Sequence, residues 1–239
     1  MKIALLGYGK MGREIGDIAL RRGHEIVLKA SGKDEPALID AGLRSADVAI
    51  EFSTPESACT NIRKSFRADV PVVCGTTGWT DMLEEIKAEC MKNGKSFFYA
   101  SNYSIGVNVF FALNTHLARI MNNYPEYEVK IDETHHVHKK DAPSGTGITL
   151  ANGILSEVKR KTKWVSGKQT GDSLLQINSY RQAEVPGTHT VSYHSAEDEI
   201  VITHQAHNRK GFALGAVLAA EFIAGRKGVF GMKDLMGPF

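Results

Sequence analysis

Ile3-Ala4-Leu5-Leu6-Gly7-Tyr8-Gly9-Lys10-Met11-Gly12 is the stretch whose reading decides the fold of this chain. Its four apolar residues make a short buried strand, and the glycines follow at once in GxGxxG spacing. The pattern from about residue 11 to 22 is amphipathic and helical. Gly7 permits a tight turn, Gly9 lets the backbone approach a pyrophosphate, and Gly12 allows the helix to pack closely on its strand. The helix N-terminus then offers free N–H groups and the positive end of its dipole to phosphates. Such a unit is the dinucleotide-binding element of a doubly wound sheet; a structural turn without ligand is the alternative.

Beyond it, residues 26–28, 47–52, 70–74 and 96–100 read as further strands. A helix is expected after Thr54-Pro55-Glu56, where Thr is a good N-cap and Pro suits the first helical position. Another is expected over 80–92. Strands alternating with helices give a Rossmann-type α/β domain, a doubly wound parallel sheet covered on both faces. The second half differs. It reads as a helix over 104–122, an alternating strand over 127–137, and a helix from about 146 to 161. Three strand-like runs follow, 174–181, 189–195 and 199–206, and then an Ala- and Leu-rich helix over 212–224. Strands without intervening helices point to a second α+β domain with an open mixed, mostly antiparallel sheet.

Composition narrows the function classes. The chain has 239 residues, 42% hydrophobic and 23% charged, which is ordinary for a globular protein. Lys+Arg 29 against Asp+Glu 27 leaves a formal charge of +2, so no basic field calls for nucleic acid or an anionic membrane. The cysteines, Cys59, Cys74 and Cys90, lack CxxC spacing. That argues against a disulfide framework or a Cys-rich zinc site and suits a reducing cytoplasm. The apolar run at 3–6 is too short for a signal-peptide core. The run at 211–225, interrupted by Glu221, falls short of the roughly 18 residues of a membrane span. A cytoplasmic protein is expected, with no membrane or nucleic-acid partner.

The choice of dinucleotide turns on a second window. An acidic residue about 20 positions past the glycines would hold a ribose 2′-hydroxyl. Here the window reads Lys29-Ala30-Ser31-Gly32-Lys33, with no acid before Asp34. Ser31 and Lys33, with Lys29, suit a 2′-phosphate and so favour NADPH over NADH; merely solvated lysines are the alternative. Cys74-Gly75-Thr76-Thr77-Gly78 and Ala100-Ser101-Asn102-Tyr103 each end a predicted strand. Both lie at the edge where doubly wound sheets place ligands, and they are expected to line a nicotinamide pocket.

The densest chemistry is Glu133-Thr134-His135-His136-Val137-His138-Lys139-Lys140-Asp141-Ala142-Pro143-Ser144-Gly145-Thr146-Gly147. On a strand, His135 and Val137 share one face, and His136 and His138 the other. Imidazoles and ammoniums in so short a segment make a cationic pocket for an anionic substrate. Ser144-Gly145-Thr146 opens a helix and adds backbone N–H donors for a carboxylate. A metal site is one alternative, opposed by the repulsion of Lys139 and Lys140 for a cation; a solvated loop is another. No metal is expected.

These motifs resemble the 4-hydroxy-tetrahydrodipicolinate (dihydrodipicolinate) reductase family of bacterial lysine and diaminopimelate biosynthesis. The resemblance rests on GYGKMG, CGTTG, ASNYSIGVNV, ETHHVHKKDAPSGT and ITHQAHNRKGFALGA, in family order from Gly7 to about Ala216. It implies hydride transfer from NADH or NADPH to a cyclic dicarboxylate, with net loss of water. It implies that His135 gives or takes a proton, that Lys139 donates a second, and that His136, Gly145 and Thr146 hold the substrate carboxylates. Gly7, Tyr8, Gly9, Lys10, Met11, Gly12, Gly75, Thr76, Thr77, Ala100, Ser101, Asn102, Tyr103 and Arg209 are implied as cofactor contacts. A homotetramer built through the second domain is also implied. The domains would be 1–104, completed by about 209–239, for the dinucleotide, and 105–208 for substrate binding and oligomerisation. The acidic residue that some members carry after the second strand is absent, so NADH preference is not implied. Two other readings remain open: a two-domain dehydrogenase of another anionic substrate, of aspartate or semialdehyde type, and a non-catalytic redox sensor.

Overall fold

The structure, a computed structural model, describes every residue except Lys33, Lys168, Thr170, Pro238 and Phe239. The chain forms two compact units, one of Met1–Ile105 with Lys210–Phe239, the other of Gly106–Arg209. Among the described residues no helix is long and apolar enough to cross a membrane.

In the first unit, β1 (Lys2–Leu6), β2 (Glu25–Ala30), β3 (Val48–Glu51), β4 (Val72–Cys74), β5 (Ser96–Tyr99) and β11 (Gly228–Phe230) form one sheet. Their order is β11-β5-β4-β3-β1-β2, and every pairing is parallel. Successive side chains of β1 point to opposite faces and so serve two cores. Ile3 and Leu5 pack with Ile15 and Ile18 of α1 (Lys10–Arg21) and with Ala216, Val217 and Ala220 of α7 (Lys210–Ile223). Ala4 and Leu6 pack on the other face with Leu43 of α2 (Pro36–Arg44), Ile62 and Phe66 of α3 (Pro55–Arg67), and Ile86 of α4 (Leu83–Lys92). This is the covered parallel sheet expected of the alternating sequence. α7 is made of small residues because it lies close: a Cβ on Gly215 would overlap the Tyr103 carbonyl. A short helix, α8 (Met232–Met236), closes the unit's chain.

The second unit holds α5 (Ile105–Met121), β6 (Glu128–His135), α6 (Gly145–Glu157), β7 (Lys163–Ser166), β8 (Leu174–Arg181), β9 (Gly187–His194) and β10 (Glu199–Ala206). Its open sheet has the order β10-β9-β6-β8-β7. The β10/β9 and β9/β6 pairs are antiparallel, and the β6/β8 and β8/β7 pairs parallel. The parallel half arises because α6 carries the chain across one face before β7 and β8. That face is apolar, with Val129, Ile131, Ile177, Val191 and Tyr193 packed with Phe110 of α5 and Leu150 and Ile154 of α6. α6 ends at Glu157 rather than at 161, because tertiary bonds capture the next residues: Lys159 N donates to Asn122 Oδ1 at 2.8 Å, and Arg160 Nη2 to the Tyr127 carbonyl.

Candidate active site

Because the first unit's strands all run parallel, the segments after β1, β2, β4 and β5 leave the sheet at one edge, the edge of strand carboxyl ends. At the first of them Gly7 takes φ 103°, and a Cβ there would overlap the Phe52 carbonyl beyond β3. A Cβ on Gly12 would overlap the Gly7 carbonyl, so α1 starts in contact with the turn. Gly9 is different: nothing lies within 4 Å of where its Cβ would stand, and it caps α1 without a side-chain bond. The N–H groups of Lys10, Met11 and Gly12 are left without intrahelical acceptors beside that opening. An open backbone cradle at a helix start fits the pyrophosphate of a dinucleotide. Beside it, Lys29 Nζ lies 5.1 Å and Arg13 Cζ 5.8 Å from the Tyr8 ring centroid.

The other predicted cofactor residues divide into edge and support. Thr77 and Ser101 are exposed at the edge. Gly75 is bare because the Phe52 ring occupies the place of a Cβ. The Thr76 hydroxyl turns inward and accepts from Ser53 N at 2.8 Å, while the Thr76 carbonyl accepts from Trp79 Nε1 at 2.7 Å. Asn102 Oδ1 accepts from Ser104 N at 2.9 Å, and Ala100 packs partly against the core. Tyr103 needs correction. Its ring is 2% exposed, between Phe52 and Phe98, and its hydroxyl donates to the Cys74 carbonyl at 2.7 Å. The Tyr103 side chain is therefore core that supports the Gly75 loop, leaving only its backbone for a ligand. The Met11 side chain likewise packs on the core, leaving only its backbone for a phosphate. Ser31 is exposed after β2 and its N–H bonds the Asp34 carboxylate, which that bond holds below the usual range. Lys33 lies outside the described residues. Arg209 is exposed in the turn before α7.

Sequence reasoning missed the carboxylate beneath this edge. Glu51, fully buried at the end of β3, accepts from Ser53 N at 3.2 Å, from the Ser53 hydroxyl, and from Cys74 Sγ at 3.1 Å. It ties the segment after β3 to the end of β4. The unbroken apolar run Val48-Ala49-Ile50 ahead of it is the signal that could have marked Glu51 as a buried acid.

In the second unit β6 alternates, so Val129, Ile131, Glu133 and His135 face the core. The strand ends at His135, which breaks the expected parity: Val137 is 56% exposed while His135 is buried. Strand register sets Glu133 opposite Ser179 on β8 and His189 on β9. Glu133 Oε1 accepts from Ser144 N and from Ser179 Oγ, at 2.9 and 2.8 Å, and Oε2 accepts from the Ser144 hydroxyl. Ser144 caps α6, its Oγ accepting from Gly147 N at 3.0 Å. The Ser144 N–H is thus not available to a ligand, and the open donors of the first turn are Gly145 and Thr146. No atom lies within 4 Å of a Cβ placed on Gly145.

The loop leading into α6 is pinned from β8. Arg181 Nε donates to the Lys139 carbonyl at 3.1 Å and Nη2 to the Asp141 carbonyl at 2.6 Å. Gln182 N donates to the His135 carbonyl at 2.9 Å, and Val137 N to that of Ala183 at 3.2 Å. Lys139 Nζ pairs with Asp141 Oδ1 at 2.9 Å, and the ammonium holds that carboxyl below its usual range. His136 is half-buried, its ring centroid 6.0 Å from that of the exposed His138.

Burial works to raise the Glu133 carboxyl, but bonds from His189, the Ser144 hydroxyl and amide, and Ser179 outweigh it and hold it at about 2. Burial drives His135 down to about 4; His189, Lys139 and Arg181 push the same way, against Glu133. His135 is therefore neutral near pH 7 in the free protein. Negative charge arriving beside it would favour its protonated form. Glu133, His135 and His189 bring potential ligand atoms within 4.8 Å of one another. Glu133 already accepts from Ser144 and Ser179, so the donor set describes a hydrogen-bonded network. His189, Ser179 and Arg181 escaped the sequence reading. His189 shares its parity with Val191 and Tyr193, and a histidine in step with buried positions was the available signal.

A helix start that fits a dinucleotide in one unit, and in the other a helix start entered from a lysine-bearing loop that fits an anion, suit hydride chemistry on a negatively charged substrate. The class is that of two-domain NAD(P)H-dependent oxidoreductases. Comparison with known proteins narrows it. A family profile described as "Dihydrodipicolinate reductase, N-terminus" matches residues 1–103, and "Dihydrodipicolinate reductase, C-terminus" matches 106–236. A 4-hydroxy-tetrahydrodipicolinate reductase of Christiangramia forsetii is 47% identical over 99% of this chain and 98% of its own. One from Methanoregula boonei is 33% identical over 90% of this chain and 82% of its own. A solved dihydrodipicolinate reductase of Paenisporosarcina sp. TG-14, described as dipicolinate-bound, shares the fold with TM-score 0.77, at 22% identity over 98% of both chains. The chain belongs to the dihydrodipicolinate reductase family. It is an NAD(P)H oxidoreductase of lysine and diaminopimelate biosynthesis that reduces 4-hydroxy-tetrahydrodipicolinate, which displaces the other-dehydrogenase and redox-sensor readings.

Proposed function

We propose that the second unit binds the cyclic dicarboxylate at the start of α6 and manages the proton that its reduction requires. The observation that carries this reading is the first turn of α6. Glu133 occupies Ser144 while Gly145 and Thr146 keep open N–H donors, on a helix entered from the Lys139 loop. Gly145 and Thr146, with His136, hold the carboxylates and orient the ring. Lys139, now paired with Asp141, exchanges that partner for a substrate carboxylate and donates a proton. His135 gains a proton as the dianion arrives and relays it near neutral pH.

The first unit holds the dinucleotide through the Gly7–Gly12 turn, with Thr77, Ser101 and the backbone after β4 and β5 at the nicotinamide end. The reduced nicotinamide, when bound, supplies the hydride. Arg13 and Lys29 flanking Tyr8, beside Ser31, favour the 2′-phosphate of NADPH. The protein works in the cytoplasm as a homotetramer assembled through the second unit's sheet, where Tyr180 and Val201 are more than half or half exposed. The test is oxidation of NADPH against NADH, with substrate made in place from pyruvate and aspartate semialdehyde by its synthase. Rapid substrate-dependent oxidation, faster with NADPH, is expected. Equal rates would remove the cofactor preference, and no oxidation would remove the substrate.

A further inference from the structure

We propose that His189, held by the Glu133 carboxylate and the Ser144 hydroxyl, is a positioning residue that sets both the His135 ring and the start of α6. The inference rests on the proposed role of His135 and α6 in the reduction.

The buried face of the second sheet is largely apolar, with a polar row beside His135 at the end of β6. Ser179, Glu133 and His189 stand side by side across β8, β6 and β9, next to the wholly apolar row Ile177, Ile131 and Val191. A polar row inside an apolar face is costly unless each group is satisfied, and apolar residues there would serve stability at least as well. Its geometry connects two parts of the site. The His189 ring meets His135 edge to face, centroids 5.0 Å apart at 74°. His189 Nε2 lies 3.1 Å from Ser144 Oγ and 3.5 Å from Glu133 Oε2.

The hydrogens follow by elimination. The Ser144 hydroxyl proton goes to Glu133, and its oxygen accepts from Gly147 N. His189 Nε2 is then the donor to this pair. Nδ1 of His189 is a buried atom without a protein partner, and so is Nδ1 of His135. Two buried imidazoles with idle nitrogens, one held by a carboxylate and the other packed edge to face against it, describe a ring held ready rather than a satisfied core. Gly187 completes the seat, since a Cβ there would come within 3.2 Å of His135 Nε2. The charged and titratable groups facing His135 are His189 of β9, Glu133 of β6, Lys139 of the loop and Arg181 of β8.

The test uses the full chain and two variants. His189→Phe keeps the ring shape and removes the donor; His189→Gln keeps a donor and removes the ring. Three readouts are taken: steady-state kinetics across pH, NADPH binding, and the titration of the His135 ring protons by NMR. Both variants should lower kcat/KM for the dicarboxylate by roughly 10- to 100-fold, the scale of a misplacement of about 1 Å. NADPH affinity should be unchanged. The His135 titration and the acid limb of the pH profile should move upward in His189→Phe. If either folded variant keeps wild-type kcat/KM and an unmoved His135 titration, the proposal is wrong. Should the wild type itself not turn over, the substrate reading fails, while the NMR titration still decides whether His189 governs His135.

Discussion

Gly147 of α6 and Glu133 of β6 approach so closely that a Cβ on the glycine would stand 2.6 Å from Glu133 Oε2. That approach lets one carboxylate reach both the amide and the hydroxyl of Ser144 and so anchors the helix at the turn that would hold substrate. The second unit's site is thus built on a strand-to-helix contact with no room for adjustment, because the carboxylate is itself tied to Ser179.

Gly147→Ala should therefore injure the substrate side selectively. The added methyl would push Glu133 off its donors, an overpacking expected to destabilise by roughly 1–3 kcal/mol. The KM for the dicarboxylate should rise while NADPH affinity stays the same. Thermal unfolding with and without NADPH, together with steady-state kinetics, checks both parts. An unchanged KM in a folded variant would detach Glu133 from substrate binding.

Acid should weaken the fold in two stages. His135 falls from 6.5 to about 4 on folding, so between those values the unfolded chain binds more protons. Its stabilisation is complete above pH 6.5 and is lost as the pH falls towards 4, a difference on the order of 3 kcal/mol. Glu133 falls from 4.5 to about 2, so its contribution is complete above pH 4.5 and is lost towards pH 2. Denaturant unfolding at a series of pH values should show both slopes. His135→Asn should flatten the upper one and leave the lower; an unaltered upper slope would mean that His135 is not the group responsible.

Two of the turn glycines should separate ligand binding from folding. Gly9→Ala meets open space and should keep its melting temperature, yet bind NADPH at least roughly tenfold more weakly as the methyl intrudes on the phosphates. Gly12→Ala meets the Gly7 carbonyl and should lose stability before anything else. Calorimetric binding and thermal melts distinguish the two. Equal behaviour would mean that the cradle at Gly9 is not where the dinucleotide lies.

Cofactor choice is expected to turn on the end of β2. Ser31→Asp adds a carboxylate at an exposed position, where it would repel a 2′-phosphate and accept from a ribose hydroxyl. The ratio of NADPH to NADH turnover should fall by tenfold or more, about 1.4 kcal/mol. A constant ratio would place the discriminating group elsewhere.

Much of this fold was legible because its signals are local. Alternating apolar runs and helical patterns marked the doubly wound sheet, and the glycine turn marked its ligand edge. α2, β7, β11 and α8 escaped because they are short elements with weak patterns of their own. β11 exists by pairing with Phe97 and Phe98 of β5, and β7 by pairing with Leu175 and Gln176 of β8. The histidine and lysine cluster was legible as chemistry, since charge density needs no tertiary context. Its electrostatics were not. Whether His135 is charged depends on burial and on His189, more than fifty residues away, and no spacing records that Glu133 and His189 lie opposite each other. The Tyr103 side chain was illegible for a related reason: its position after β5 suggested the ligand edge, while its ring turns into the core.

The most direct test of the account is one assay on two proteins. Oxidation of NADPH is followed with 4-hydroxy-tetrahydrodipicolinate generated in place, for the wild type and for Lys139→Ala, with NADPH affinity measured separately. Substrate-dependent oxidation is expected of the wild type, and a kcat at least ~100-fold lower in the variant, the floor for loss of a general acid, at unchanged cofactor affinity. Oxidation by Lys139→Ala at the wild-type rate, or collapse of NADPH binding in its place, would contradict that expectation.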